Sequence, residues 1–169
     1  MLSRVVAWFG EVVLPALTDP ETPDNCRLDP PPCRVALYPG LEVAWDTCEA
    51  TETANGQLWA ALQPLNNIST GAGKCARMVW TAQIGITRCA AGPNSNGDPP
   101  PAEEVTADAL QQALDADTIA SLVHCCLPDD DSPLQLHEDV ELVSWTPLSP
   151  QGGCVGGFWT VRGAYYLCC

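Results

Sequence analysis

Cys75–Cys89 reads CARMVWTAQIGITRC. Ala76, Met78, Trp80, Ala82, Ile84 and Ile86 fall on the even positions, and Arg77, Thr81, Gln83 and Thr87 on the odd ones. Apolar residues at a period of two predict a β-strand with one face on a core and the other toward solvent or a partner. At 15 residues the run is far longer than the usual strand of about 5–6. It is therefore expected to bend, or to project beyond its sheet as an arm.

Upstream, Arg34–Tyr38 reads as a short strand closed by the Pro39-Gly40 turn, Leu41–Trp45 as a second, and Gln57–Leu65 as a third after the Asn55-Gly56 turn signal. Residues 1–18 read as an amphipathic helix with Val5, Val6, Phe9, Val12 and Val13 on one side. Asp19–Pro32, DPETPDNCRLDPPP, is a proline-rich acidic connector that cannot continue the helix. Downstream, Ala91–Pro101 reads as a loop. Pro101 suits a first helical turn, where Glu103 and Glu104 meet the positive end of the dipole. The helix is expected over about 103–126. Val105, Ala109, Ala113, Leu122 and Val123 mark its apolar side, and Asp115–Asp117 is a place where it could break in two. Asp129–Pro133 is a second acidic loop. Val140–Thr146 and Phe158–Tyr166 read as final strands flanking the loop PLSPQGGCVGG.

The order helix, strands, helix, strands predicts an α+β fold: a mainly antiparallel sheet packed with one or two helices, plus an N-terminal helix and a proline-rich arm. Residues 1–32 divide off as helix and connector, and 33–169 as the α+β domain.

The chain has 169 residues and a mass of 18.0 kDa, enough to bury a core without staples. Seven basic residues face 21 acidic ones, for a net charge of −14. This balance argues against gripping nucleic-acid phosphates or docking on an anionic membrane. No apolar stretch reaches the roughly 18–20 residues of a membrane span. The start, MLSRVVAWFGEVVLPALTDP, has the outline of a signal peptide, but Glu11 interrupts its apolar run and no A-x-A site follows.

Motifs for chemistry are few. Thr70-Gly71-Ala72-Gly73-Lys74 has Ile68 where a phosphate loop needs glycine, and Cys75 where it needs Ser or Thr. Gly152, Gly153, Gly156 and Gly157 join two strands rather than a strand and a helix, so they read as a hairpin loop. His124 and His137 stand in no nucleophile motif, and the carboxylates are scattered. An enzyme is not expected, and no catalytic, cofactor-binding or metal residue is assigned. Trp8, Trp45, Trp59, Trp80, Trp145 and Trp159 read as core, or as interface anchors in an assembling protein.

The ten cysteines are about six per cent of the chain, below the roughly 8–10% of a small disulfide scaffold. No C-x-x-C occurs. The ligand cluster His124-Cys125-Cys126, with His137 and Cys154 further on, has neighbours pointing apart on one helix, which suits zinc poorly. On a straight strand, Cys75 and Cys89 would stand about 46 Å apart, so bridging them needs a fold-back near Gly85. Cys125-Cys126 and Cys168-Cys169 are adjacent, and direct bonds between neighbours are strained. Cys26 and Cys33, flanking the proline-rich loop, are the expected local pair, and most of the others are expected to be buried thiols.

Five segments carry a resemblance: PPCRVALYPGLEVAWDTC (31–48), GQLWAAL (56–62), QIGITRCAAGP (83–93), PPPAEEVTADALQQ (99–112) and WTPLSPQGGCVGGFWTV (145–161). They resemble a cysteine-rich protein of actinobacteriophages, especially mycobacteriophages, whose genes lie among those for the head-to-tail connector. The order of elements also resembles siphophage tail terminators, which assemble as hexameric rings. The resemblance covers about Pro31–Val161. It implies a virion protein of the head–tail junction, assembled in the bacterial cytoplasm. The ring would cap the tail tube, meet the stopper under the portal, and let DNA pass through an acidic lumen. It implies no catalytic residues. The proline-rich connector and the cysteine count depart from the better-known terminators. A stopper or head-closure protein, and a secreted cysteine-rich binding module with five disulfides, are the competing expectations.

Overall fold

A computed structural model describes residues 2–40, 42–43, 55–63, 66–67, 75–93, 95–127, 140–151 and 153–168. The expected α+β class is what the chain adopts. An N-terminal helix, α1, runs as three consecutive segments: Leu2–Ala7, the wider π-wound Trp8–Val13, and Leu14–Ala16. A second helix, α2, spans Ala102–Ser121 and continues π-wound through Leu122–Cys126. The strands are β1 (Arg34–Tyr38), β2 (Gln57–Leu62), β3 (Asn66–Asn67), β4 (Cys75–Cys89), β5 (Glu141–Gln151) and β6 (Cys154–Cys168). The sheet order is β1-β2-β4-β6-β5, with the two-residue β3 beside β4. β1 and β2 are parallel, and the other pairs are antiparallel.

The even residues of β4 face the core as their alternation requires. Trp80, Ala82, Ile84 and Ile86 are buried with Leu58, Ala60, Leu62 and Val161 under Val5, Trp8, Phe9, Val13 and Leu17 of the N-terminal region, with Ile119 and Leu122 of α2 in the same cluster. Residues on both sides of position 32 thus share one core. Trp8 packs on Phe9 at 4.8 Å and on Trp80 at 6.0 Å. The opposite face carries Trp59 against Phe158, centroids 5.8 Å apart. Indole rings lie directly over glycines of the neighbouring strand. A Cβ at Gly85 would sit 2.5 Å from Trp59 Cζ2, and one at Gly163 would collide with the ring of Trp80. These glycines are flat landing sites for aromatic rings.

Three expectations need correction. The stretch PLSPQGGCVGG is strand over most of its length, because Gln151 pairs with Cys154, with Gly153 in a turn at φ +80°. α2 does not break at Asp115–Asp117. Only the C-terminal part of its expected apolar side faces inward: Leu122 is buried, but Val105, Ala109 and Ala113 are exposed, and Asp115, Ala116 and Ile119 are buried instead. The reason is a buried arginine on the sheet, described below. Glu42–Val43 is not strand, and the rest of the expected Leu41–Trp45 strand lies outside the described residues. The connector makes a single 3-10 turn, Asp24–Cys26, and otherwise runs without regular structure.

Candidate functional site

Arg88 is the last core-facing residue of β4 and is only 4% exposed. Burial of a guanidinium demands saturation of its donors. Nε and Nη2 donate to the two carboxylate oxygens of Asp115 on α2, each at 2.7 Å, and Nη1 donates to the backbone carbonyls of Pro30 and Asn55, each at 2.8 Å. Asp115 is 2% exposed and also accepts from Gln111 Nε2 at 3.1 Å. One side chain therefore fastens the sheet, α2, the proline-rich connector and the approach to β2. This explains why α2 turns a carboxylate inward and leaves Leu110 and Leu114, 62% and 59% exposed, outside. Both charges are consumed by fixed partners, so the junction has no group poised to act on a substrate.

The cysteines differ from expectation. Cys26 bonds to Cys126, Cα atoms 6.3 Å apart, across a sequence separation of 100. Cys33 is itself disulfide-bonded, so the Cys26–Cys33 pair does not form. The bond to Cys126 is available because α2 returns its C-terminal end to the 3-10 turn that holds Cys26. It also removes Cys126 from any ligand set. Among the described residues no three metal-ligating side chains converge. Cys89, Cys125 and Cys154 are thiols, of which only Cys154 is buried, so the expectation of mostly buried thiols is corrected for the described residues. Cys75 and Cys89 end one unbroken strand, and each stands opposite a cysteine of β6: Cys75 opposite Cys168, Cys89 opposite Cys154.

The surface is organised around the β4–β6 ladder. These strands pair over all 15 residues of each. β2 flanks β4 only at Ala82–Thr87, and β5 flanks β6 only at Cys154–Arg162. Beyond that, the ribbon ending in Cys75 and Cys168 is flanked only by β3 at Met78–Val79, among the described residues. The outer edge of β5 is blunted by Pro147 and Pro150. The edge of β1 has no proline, and Val35 is half exposed there. An open groove of about 420 Å³ separates β1 from α1, lined by Gly10, Leu14, Pro15, Thr18 and Val35–Leu37.

Acidic side chains dominate the helices and connector, where Glu11, Asp19, Glu21, Asp24, Asp29, Glu103, Glu104 and Asp117 are exposed. On the sheet the signs are mixed: Arg77 and Arg162 are exposed on the face of the ribbon opposite the core, exposed Glu141 of β5 stands directly opposite Arg162, and Arg34 is exposed on β1. Of the motifs singled out in the sequence, Thr70–Lys74, His137 and Trp45 lie outside the described residues. His124 is exposed at the end of α2. Trp8, Trp59 and Trp80 are core, while Trp145 and Trp159 are half-buried partners 5.9 Å apart. Trp159 Nε1 donates to the carbonyl of Ala116 at 2.9 Å. Sequence reasoning missed Arg88 and Asp115. The one available signal was an arginine on the apolar parity of a core strand. Among the described residues no helix is long and apolar enough to cross a membrane. Comparison with protein-family models and with curated proteins finds no match.

Proposed function

We propose that the chain is a structural subunit of a phage head–tail neck, forming a ring that terminates the tail tube and joins it to the head connector. The observation that carries this reading is the ribbon: among the described residues, two 15-residue strands outrun β2 and β5, a geometry suited to strand addition by another chain. The unblunted β1 edge is a second such surface. Exposed Arg77 on the ribbon and the acidic helices favour a head-to-tail contact between copies, which gives a ring where the rotation closes. A net charge of −14 per subunit would give a six-fold ring about −84, a surface that repels DNA phosphate and lets the duplex slide.

Native mass measurement of the purified chain, followed by mapping in virions, tests the proposal. The expected result is a species of about six times 18.0 kDa located at the head–tail junction. A strict monomer that never joins purified virions sinks it.

One observation favours a second reading. The Cys26–Cys126 bond and the disulfide state of Cys33 fit a secreted cysteine-rich binding module. That reading requires N-terminal processing and pairing of all ten cysteines, whereas Cys89, Cys125 and Cys154 are thiols. Intact mass with and without alkylation separates the two.

A further inference from the structure

Cys89 and Cys154 are direct partners in the β4–β6 register, so their side chains leave the ladder on the same face. In an antiparallel ladder, facing residues alternate between hydrogen-bonded and non-hydrogen-bonded pairs. Ala90 N–H donates to the carbonyl of Gly153 at 2.8 Å, which makes the next position in the ladder a hydrogen-bonded pair. Cys89 and Cys154 are therefore a non-hydrogen-bonded pair. The amide of Cys89 confirms this by pointing the other way, donating to Asn55 Oδ1 at 3.1 Å. Non-hydrogen-bonded pairs bring Cα atoms to about 4.5 Å, inside the roughly 4.4–6.8 Å range of disulfides. Both residues carry thiols.

We propose that Cys89 and Cys154 are a reversible cross-strand disulfide site, closed by exchange with a low-molecular-weight disulfide. The two sulfurs are unequal. Cys154 is buried, while Cys89 is half exposed and lines a small recess of about 40 Å³ with Asn55, Arg88, Asp108 and Gln111. Burial raises the Cys154 thiol above its ordinary value, and a charge on Cys89 raises it further. Cys89 is thus the attacking group and Cys154 the resolving one. The Cys89 thiolate attacks one sulfur of the small disulfide, forming a mixed disulfide and releasing one small thiolate. Cys154 loses its proton to solvent and attacks Cys89 Sγ, releasing the second thiolate. Two electrons leave the cysteine pair and reduce the small disulfide to two thiols. The bond would weld the central ladder next to the Arg88–Asp115 junction, at a site distinct from Cys26–Cys126.

The test uses the full chain, treated with oxidised glutathione, alkylated, and cleaved after Arg and Glu without reduction. This separates fragment 89–103 from fragment 142–162. The expected result is that the two fragments travel as one species, about 2 Da below their summed mass. In Cys154→Ser, Cys89 is expected to stop as the stable glutathione adduct, and in Cys89→Ser the linked species is lost. Recovery of both fragments separately alkylated from the oxidised wild-type chain overturns the proposal, as does Cys89 joined mainly to Cys125. Because the decisive reading comes from the wild-type chain, it does not depend on either variant folding.

Discussion

The two ends of the β4–β6 ribbon are built from the same ladder and treated oppositely by the rest of the chain. At the Cys89/Cys154 end, β2 and β5 flank the strands, Arg88 reaches into α2 and the connector, and Asn55 caps the last amide. At the Cys75/Cys168 end, β3 is the sole flanking strand among the described residues. Among the described residues, long-range polar contacts are concentrated at the Cys89/Cys154 end, and the other end is the one the proposed assembly would use. Stability and assembly should therefore be separable by mutation.

The largest expected effect lies at the anchored end. Asp115→Ala leaves Arg88 buried and unpaired, and is expected to lose about 3–5 kcal/mol in denaturant unfolding. A loss below 1 kcal/mol would mean that the junction is not what anchors this end. Cys26→Ser removes a link closing a loop of about 100 residues and is expected to lose about 2–5 kcal/mol under oxidising conditions, and little in reductant. Gly85→Ala drives a methyl into the Trp59 ring and the Gly157 carbonyl, with an expected loss of about 1–3 kcal/mol.

The pH dependence is directional. The Cys154 thiol is held above its ordinary value by burial and by Cys89, so the folded chain keeps a proton that the unfolded chain releases. Its contribution is full below the unfolded thiol value and falls away as pH rises through the folded one. Denaturation of the reduced chain across the alkaline range should show this decline, and Cys154→Ser should flatten it. The smallest effect on stability is expected at the projecting end. Arg77→Glu should change unfolding by less than about 0.5 kcal/mol, while the proposed oligomer, read by native mass, is weakened. An oligomer unchanged in that variant would remove this face of the ribbon from the assembly contact.

What the sequence made legible was governed by local period. β4 could be read along its whole length because its apolar residues repeat at two with few interruptions. β6 was read only from Phe158 onward, because Gly156 and Gly157 look like loop punctuation; instead Gly156 lies against the backbone of Ile86 and Thr87, and Gly157 lies under the ring of Trp145. The facing of α2 was misjudged for a different reason. Hydrophobic pattern assumes that the core takes the apolar side, but a single buried arginine drew Asp115 inward, and no local signal announces a partner 27 residues away. The Cys26–Cys126 bond was invisible in the same way. Proximity in sequence pointed to Cys33, whereas α2 brings its far end back to the connector. The candidate site was legible only as an unusually long strand, since which strands flank it depends on tertiary placement.

The central ladder also constrains how the chain finds its structure. β6 pairs with β4 from Cys89/Cys154 outward to Cys75/Cys168, so even its nearest contact closes the whole α2 segment between them. A ladder this non-local gains nothing until that loop closes, which makes folding slow compared with a hairpin meander of equal size. Until then, the apolar side of β4 lacks its β6 neighbour, and α1, already synthesised and packing on Trp80 through Trp8 and Phe9 in the folded chain, is an element able to shelter it. Newly made chains should therefore depend on early docking of α1 to escape aggregation during the interval before β6 arrives.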